Sequence, residues 1–325
     1  MIARFDWVDA MSIEDAVSQL SQSKNVLLKA GGVDVMDRLK EDLVSPDRIV
    51  NLHTIPSLGK VEKDPSGSMR IGTLVTLSQL DTHTDVRRIY PALSDSAGHA
   101  ATPNIRNVAT IGGNLLQRPR CWYFRAHDVH CLKKGGGHCY AQDGENDYHA
   151  IFNNRVCAIV HPSATATALV ALGASIDLVS PRGTRNVPLE KFFTHEDIHK
   201  ENSLMPDELL TYVNIPAQPA GSVNAYIKQG EKESQDWPIA EVAVNLEMSG
   251  STVKSAHIIL GAAAAIPYRS KAAEAAITGK TLNEENARVA AKASMVHAEP
   301  MAHNGFKVPV FEAIVRRTLM KTVNG

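Results

Sequence analysis

Leu27-Leu28-Lys29-Ala30-Gly31-Gly32-Val33-Asp34-Val35 decides how this chain folds. An apolar run meets two glycines and then a stretch that continues as helix. Consecutive backbone N–H groups in such a turn form a nest for anions, and a helix N-terminus adds positive potential. Glycine also lets a phosphate approach the backbone closely. Taken alone, the pair is equally an ordinary strand-to-helix turn. Outward from it, Asn25 to Ala30 reads as a buried strand, Asp34 to Leu43 as a short helix, and Arg48 to Leu52 as a second strand. Upstream, Ser12-Ile-Glu-Asp15 has capping-box form and opens an amphipathic helix through Leu20. Together they make a small βαβ-like unit.

A second glycine pair lies in Thr110-Ile111-Gly112-Gly113-Asn114. It offers small residues, a hydroxyl and an amide in one turn. Two separated turns of this kind can hold the two ends of a long cofactor, pyrophosphate at one and a ring at the other. A tight turn with a capping asparagine is the plainer alternative. Neither pair fits Gly-x-Gly-x-x-Gly, and no Walker sequence occurs.

All four cysteines fall in one stretch: Cys121, Cys131, Cys139 and Cys157. Nine, seven and seventeen residues separate them in a loop-like run that includes Lys133-Lys-Gly-Gly-Gly-His138. Four thiolates with irregular gaps can close around one iron–sulfur cubane. Structural zinc is a second reading, although its tight two- to four-residue ligand pairs are missing. Disulfides are a third, but a chain of this length has core enough without staples. His130 and His138 adjoin cysteines and read as ligands or as exposed loop histidines. His161, before Pro162-Ser163, could cap a helix or line a cofactor groove.

The totals exclude several classes. With 34 basic and 35 acidic residues there is no electrostatic case for nucleic acid. No apolar run is long enough to cross a bilayer, so no membrane insertion is expected. The N-terminus carries Asp6 early and lacks an apolar signal core. The expected compartment is the cytoplasm, or the periplasm by export with a signal-bearing partner. No Ser/His/Asp or paired-carboxylate arrangement stands out. The chain has redox-centre features without an evident substrate site.

Beyond Ile55, Met69 to Thr73 reads as a strand, Thr76 to Leu80 and Leu93 to Ala101 as helices, and Val156 to Val160 as a strand bearing Cys157. His161-Pro-Ser163 caps a helix to Leu172, and Ala174 to Val179 is a strand before a turn at Pro181 to Thr184. Pro216, Pro219 and Gly221 mark a boundary. After it come three antiparallel strands, Ala225 to Gln229, Ala240 to Met248 and Val253 to Leu260, then helices at Ser270 to Thr278, Asn283 to Val296 and Pro309 to Val323.

Read together, these segments resemble the FAD-binding (medium) subunit of the molybdenum hydroxylase or xanthine dehydrogenase family. Ala30-Gly-Gly-Val-Asp34 is similar to that family's Ala-Gly-Gly-Thr-Asp/Asn loop, and Ala109-Thr-Ile-Gly-Gly-Asn-Leu115 to its second flavin motif. His161-Pro-Ser163, Leu172-Gly-Ala, Tyr226-Ile-Lys228 and Asn304-Gly-Phe-Lys307 follow in the same order. The cysteine loop, absent from most such subunits, resembles that of the flavin subunits of periplasmic aldehyde oxidoreductases, which carry an additional [4Fe–4S] cluster. The flavin subunit of 4-hydroxybenzoyl-CoA reductase has a similar insertion.

The resemblance implies an α+β chain: a two-subdomain FAD-binding fold of the vanillyl-alcohol-oxidase type, residues 1–54 and 55–218, with a cysteine cluster loop over 117–157. A C-terminal domain, three antiparallel strands with helices, would span 222–325. FAD would contact Leu27, Leu28, Lys29 and Ala30, its pyrophosphate would meet the backbone of Gly31, Gly32, Val33, Asp34 and Val35, and Thr110, Gly113 and Asn114 would contact the cofactor, with Ser163 and Lys228 as further contacts. Cys121, Cys131, Cys139 and Cys157 would hold the cluster, and Arg120, Arg125, Lys133 and Lys134 could offset its charge or be solvated loop charges. A molybdenum-cofactor large subunit would oxidise an aldehyde or N-heterocycle, and a [2Fe–2S] small subunit would pass electrons to this chain. A freestanding FAD-dependent oxidase or reductase is the alternative. Val33 stands where the family has threonine, Ala164 where an aspartate commonly follows His-Pro-Ser, and Gln229 to Trp237 departs from a more basic stretch.

Overall fold

The computed structural model describes residues 2–22, 25–232 and 235–324. Glu233 and Ser234, inside the Gln229 to Trp237 departure, lie outside the described residues. The first sheet is parallel: β1 (Asp6–Asp9), β2 (Val26–Lys29) and β3 (Arg48–Asn51) lie in the order β1-β3-β2. Parallel neighbours need crossovers, and helices Ile13–Gln22 and Val33–Lys40 supply them. The central strand is the one that buries Ile49 and Val50. Ser12 accepts the Asp15 N–H at 3.1 Å, and the Asp15 carboxylate reaches back to Met11 N–H at 2.9 Å, one residue before the expected cap.

A five-stranded antiparallel sheet follows. It contains β4 (Val61–Lys63), β5 (Met69–Gly72), β6 (Ser175–Ser180), β7 (Gly183–Pro188) and β8 (Leu209–Ile215), ordered β4-β5-β8-β6-β7. The last sheet has four strands rather than three: β9 (Ser222–Gln229), β10 (Ala240–Ser249), β11 (Thr252–Gly261) and a two-residue β12 (Tyr268–Arg269) that pairs with β11. Helices Lys271–Ile277, Glu284–Ala293 and Lys307–Asn324 pack on it through Ala273, Ile277, Ala287, Phe311, Ile314 and Leu319.

Helix Ala164–Ala171 ties the last two sheets together. Every one of its residues is buried, which requires the small side chains of Ala-Thr-Ala-Thr-Ala-Leu-Val-Ala. The polar exceptions are satisfied: Thr165 donates to Asn114 Oδ1 at 2.6 Å, and Thr167 to Glu241 at 3.3 Å. One core runs through this helix, joining Ile71, Leu93, Ile176 and Val213 to Tyr226, Ala243 and Ile259.

The expected strand over 156–160 is not formed. The segment is extended but pairs only locally, with Ala150 N–H on Ala158 O at 2.9 Å and His161 N–H on Ala264 O at 2.8 Å. Its backbone is committed to the loop's own closure and to the end of β11. Overall the chain is α+β.

Candidate functional site: a two-glycine cavity beside a four-cysteine loop

The two glycine turns meet in space. A Cβ on Gly31 would stand 1.9 Å from Val108 O and 2.8 Å from Val108 C, so only glycine lets the second turn pass. Gly32 adopts φ +83° and begins helix Val33–Lys40 with no side-chain cap on its N–H groups. Those donors are left for a ligand, and the helix end favours an anion.

The second turn is built from its own polar atoms. Thr110 Oγ1 accepts the Gly113 N–H at 3.2 Å and caps helix Ile111–Leu115. Gly112 N–H donates to Thr73 O at 3.0 Å, fixing the turn on the end of β5. Asn114 Oδ1 accepts from Ser163 Oγ and Thr165 Oγ1, both at 2.6 Å. With its oxygen held twice, the Asn114 amide nitrogen is the free donor of that side chain among the described residues.

Between the turns opens a cavity of about 470 Å³, inside the ~300–1,000 Å³ range of cofactor pockets. Leu27, Leu28, Ala30, Gly31, Gly32, Val33, Asp34, Val35, Thr110, Gly113, Asn114 and Lys228 all line it. Two expected contacts do not. Lys29 turns away, with Nζ 3.4 Å from Asn51 Oδ1 and 5.6 Å from the Trp7 ring centre. Ser163 stands behind Asn114 and also caps the next helix through Ala166 N–H at 3.1 Å. The uncapped helix end, the free amide and the cavity's volume together fit a dinucleotide flavin.

Lys228 and Glu241 are directly paired across β9 and β10 at the cavity wall. Lys228 Nζ donates to His99 O at 2.9 Å, and burial lowers its pKa. Glu241 was missed in the sequence, although it is a carboxylate at the head of a strand, just before the apolar Val242-Ala-Val244. Burial raises its pKa to about 7, against the lowering pull of Tyr226, Lys228 and Thr167. Trp237 and Arg120 close another side, the guanidinium 5.0 Å from the indole centre.

The cysteine loop folds against this cavity. Cys121, Cys131, Cys139 and Cys157 line one small enclosed space with Tyr123, Phe124 and His149. All four are free thiols, so no disulfide joins them. Cys139 and Cys157 are in hydrogen-bonding contact, which holds Cys139 down to about 6 and pushes Cys157 up. Burial pushes Cys121 up to about 11. His149 Nε2 lies 3.2 Å from Cys121 Sγ, and burial lowers the His149 pKa to about 4. His149 O is held by the buried Lys307 Nζ at 2.9 Å and by Asn304 Nδ2 at 3.2 Å. The late Asn304-Gly-Phe-Lys307 segment thus ties the loop to the last sheet.

The histidines next to cysteines are not part of this space. His130 is exposed, and His138 pairs with Asp143 at 3.0 Å. His161 is buried against Phe193, ring centres 4.3 Å apart, and does not line the cavity. The loop cations are not solvated either. Lys133 is buried on Glu201 at 2.6 Å, Lys134 Nζ donates to Ala126 O at 2.5 Å, and Arg120 and Arg125 pair with Asp34. Among the described residues no group of three or more His, Cys, Asp or Glu is placed to hold a metal ion. Four cysteine thiols on one enclosed space are the donor set that a cubane takes.

Known proteins share this architecture. Residues 3–218 match the family described as FAD binding domain in molybdopterin dehydrogenase, and residues 225–322 match the CO dehydrogenase flavoprotein C-terminal domain. The chain is 32% identical over 295 residues to the aldehyde oxidoreductase FAD-binding subunit PaoB of Escherichia coli K12, covering 89% of this chain and 88% of that one. It is 27% identical over 300 residues to the carbon monoxide dehydrogenase medium chain of Hydrogenophaga pseudoflava, covering 91% and 88%. The solved structure of that organism's carbon monoxide dehydrogenase superposes with a TM-score of 0.78 at 26% identity, over 100% of this chain and 99% of that one. Quinoline 2-oxidoreductase from Pseudomonas putida 86 gives a TM-score of 0.79 at 21% identity, over 100% and 99%. The chain belongs to the FAD-binding medium subunits of the molybdenum hydroxylase and CO dehydrogenase family.

Proposed function

We propose that the chain is the electron-transfer flavoprotein subunit of a molybdenum hydroxylase that also holds a [4Fe–4S] cluster. Its partners would be a molybdenum-cofactor large subunit, oxidising an aldehyde or N-heterocycle, and a [2Fe–2S] small subunit. The observation that carries the cluster is the convergence of all four cysteines on one enclosed space beside the flavin cavity. Bound flavin and cluster supply the redox chemistry, while the protein orients them and sets their electronics. Gly31 to Val35 would bind the pyrophosphate through backbone N–H groups. Asn114, fixed by Ser163 and Thr165, would donate its amide N–H. Cys121, Cys131, Cys139 and Cys157 would ligate iron, and the buried His149 would keep water from Cys121. No helix among the described residues is long and apolar enough to cross a membrane, and no membrane insertion is part of this reading.

Cys131→Ser tests the ligand assignment. The wild-type chain should contain about four irons and give the EPR signal of a reduced cubane, and the variant should lose both while retaining FAD. A variant with undiminished iron contradicts the assignment.

One observation favours a second reading, a freestanding flavin oxidase or reductase. Glu241 is a buried carboxyl on the cavity wall with a pKa raised to about 7, suited to acid–base work. Glu241→Gln should leave reduction by the molybdenum partner intact if the first reading holds. Abolished turnover in the isolated chain would favour the second.

A further inference from the structure

The cysteine loop reaches back onto the helix that would carry the pyrophosphate. Arg120 pairs with Asp34 at 3.0 Å and with Asp37 at 2.7 Å. Arg125 pairs with Asp34 at 2.7 Å, Asp37 at 3.4 Å and Glu41 at 3.8 Å. Asp34 also accepts the Arg118 backbone N–H at 3.2 Å. The Arg125 and Asp34 side chains are only 9% and 13% exposed, so water screens this pair weakly.

Asp34 and Asp37 stand three residues apart on one helical face, and both line the flavin cavity. An acid in a first turn suits the helix dipole, but here it competes with the ligand for the same positive end. Arg38, also at the cavity, is the helix's own guanidinium near Asp34. Without the loop, one cation would face the three carboxylates Asp34, Asp37 and Glu41. With Arg120 and Arg125 in place the charges balance.

We infer that Arg120 and Arg125 make the cysteine loop a wall of the flavin site: by pairing with Asp34 and Asp37 they convert an acidic helix end into one that accepts a diphosphate. FAD affinity then depends on a loop that carries no flavin motif. Arg120 acts at the cavity surface itself, stacked on Trp237. The inference rests on the flavin reading of the cavity and does not require the cluster.

The test is FAD titration, followed by flavin fluorescence, of the full chain stripped of its flavin. Arg125→Met should weaken binding about tenfold or more, the order expected of an uncompensated charge near a phosphate at intermediate dielectric. Adding Asp34→Asn and Asp37→Asn to Arg125→Met should recover most of that loss. Wild-type affinity in Arg125→Met overturns the inference, and so does a loss that removing the carboxylates fails to relieve. Should Arg125→Met not fold, Asp34→Asn/Asp37→Asn alone decides: it should bind FAD at least as tightly as wild type, with a steeper salt dependence. Weaker binding there overturns the inference. Iron is measured in every variant, so cluster loss is read separately. A wild-type chain that takes up no FAD would refute the flavin reading instead.

Discussion

Replacing His161 with leucine isolates what a buried neutral imidazole costs this protein. The ring is 3% exposed and packs on Phe193, and neither ring nitrogen has a hydrogen-bond partner among the described residues. Burial pushes its pKa down from 6.5 to about 3. A folded-state value below the unfolded one means that the unfolded chain binds the proton more readily. Stability is then complete above about pH 6.5 and is lost as pH falls toward 3. With those two values the histidine costs on the order of 1 kcal/mol at pH 5.5 and roughly 2–3 kcal/mol at pH 4.5. Leucine carries no such penalty and forfeits no hydrogen bond. Glu241, raised to about 7, titrates with the opposite sign: it adds stability at low pH that is lost as pH rises through 7. That contribution is common to both proteins and cancels in their difference. Urea unfolding of the flavin-loaded chain and the variant at pH 7.5, 5.5 and 4.5 reads the difference directly. The variant's advantage should widen toward acid by the amounts given. A difference that stays constant with pH refutes the assignment of a buried, unpartnered, neutral His161.

Gly31→Ala places a methyl 1.9 Å from Val108 O, against backbone rather than a side chain that can move aside. The two turns must separate, at a cost of about 1–3 kcal/mol or more, and FAD retained per chain after gel filtration should fall sharply. Lys307→Met removes the donor to Ala262 O at 2.6 Å and one of the donors to His149 O. A buried carbonyl left without a partner costs about 1–3 kcal/mol, so the thermal midpoint should drop and iron should be lost faster than flavin on heating.

The two glycine turns were legible because glycine is dictated by local backbone geometry, and that constraint survives in the sequence. Their meeting was not, since Gly31 against Val108 is a contact between distant segments. The edge strands β1 and β7 escaped for a related reason. Asp6-Trp-Val-Asp9 and Gly183 to Pro188 are mostly exposed and show no clean apolar alternation, so their pairing depends on neighbours rather than on pattern. The four cysteines announced a shared site by their grouping. What surrounds them did not: His149, between Cys139 and Cys157, adjoins neither, while the adjacent His130 and His138 were the more conspicuous. The ion pairs of Arg120 and Arg125 with Asp34 and Asp37 join segments more than eighty residues apart, and charge patterning along one helix cannot report them. Trp237 and Glu241 became visible as cavity residues only once the last sheet was placed against the first two.

The most direct test of the account is an anaerobic visible spectrum of the purified chain, with flavin, iron, sulfide and zinc quantified on the same sample. The account predicts one FAD and about four irons with matching sulfide, and bleaching of both flavin and cluster bands on reduction. Flavin without iron or sulfide in anaerobically prepared protein would contradict the cluster, and zinc without flavin would contradict the two-centre electron-transfer reading altogether.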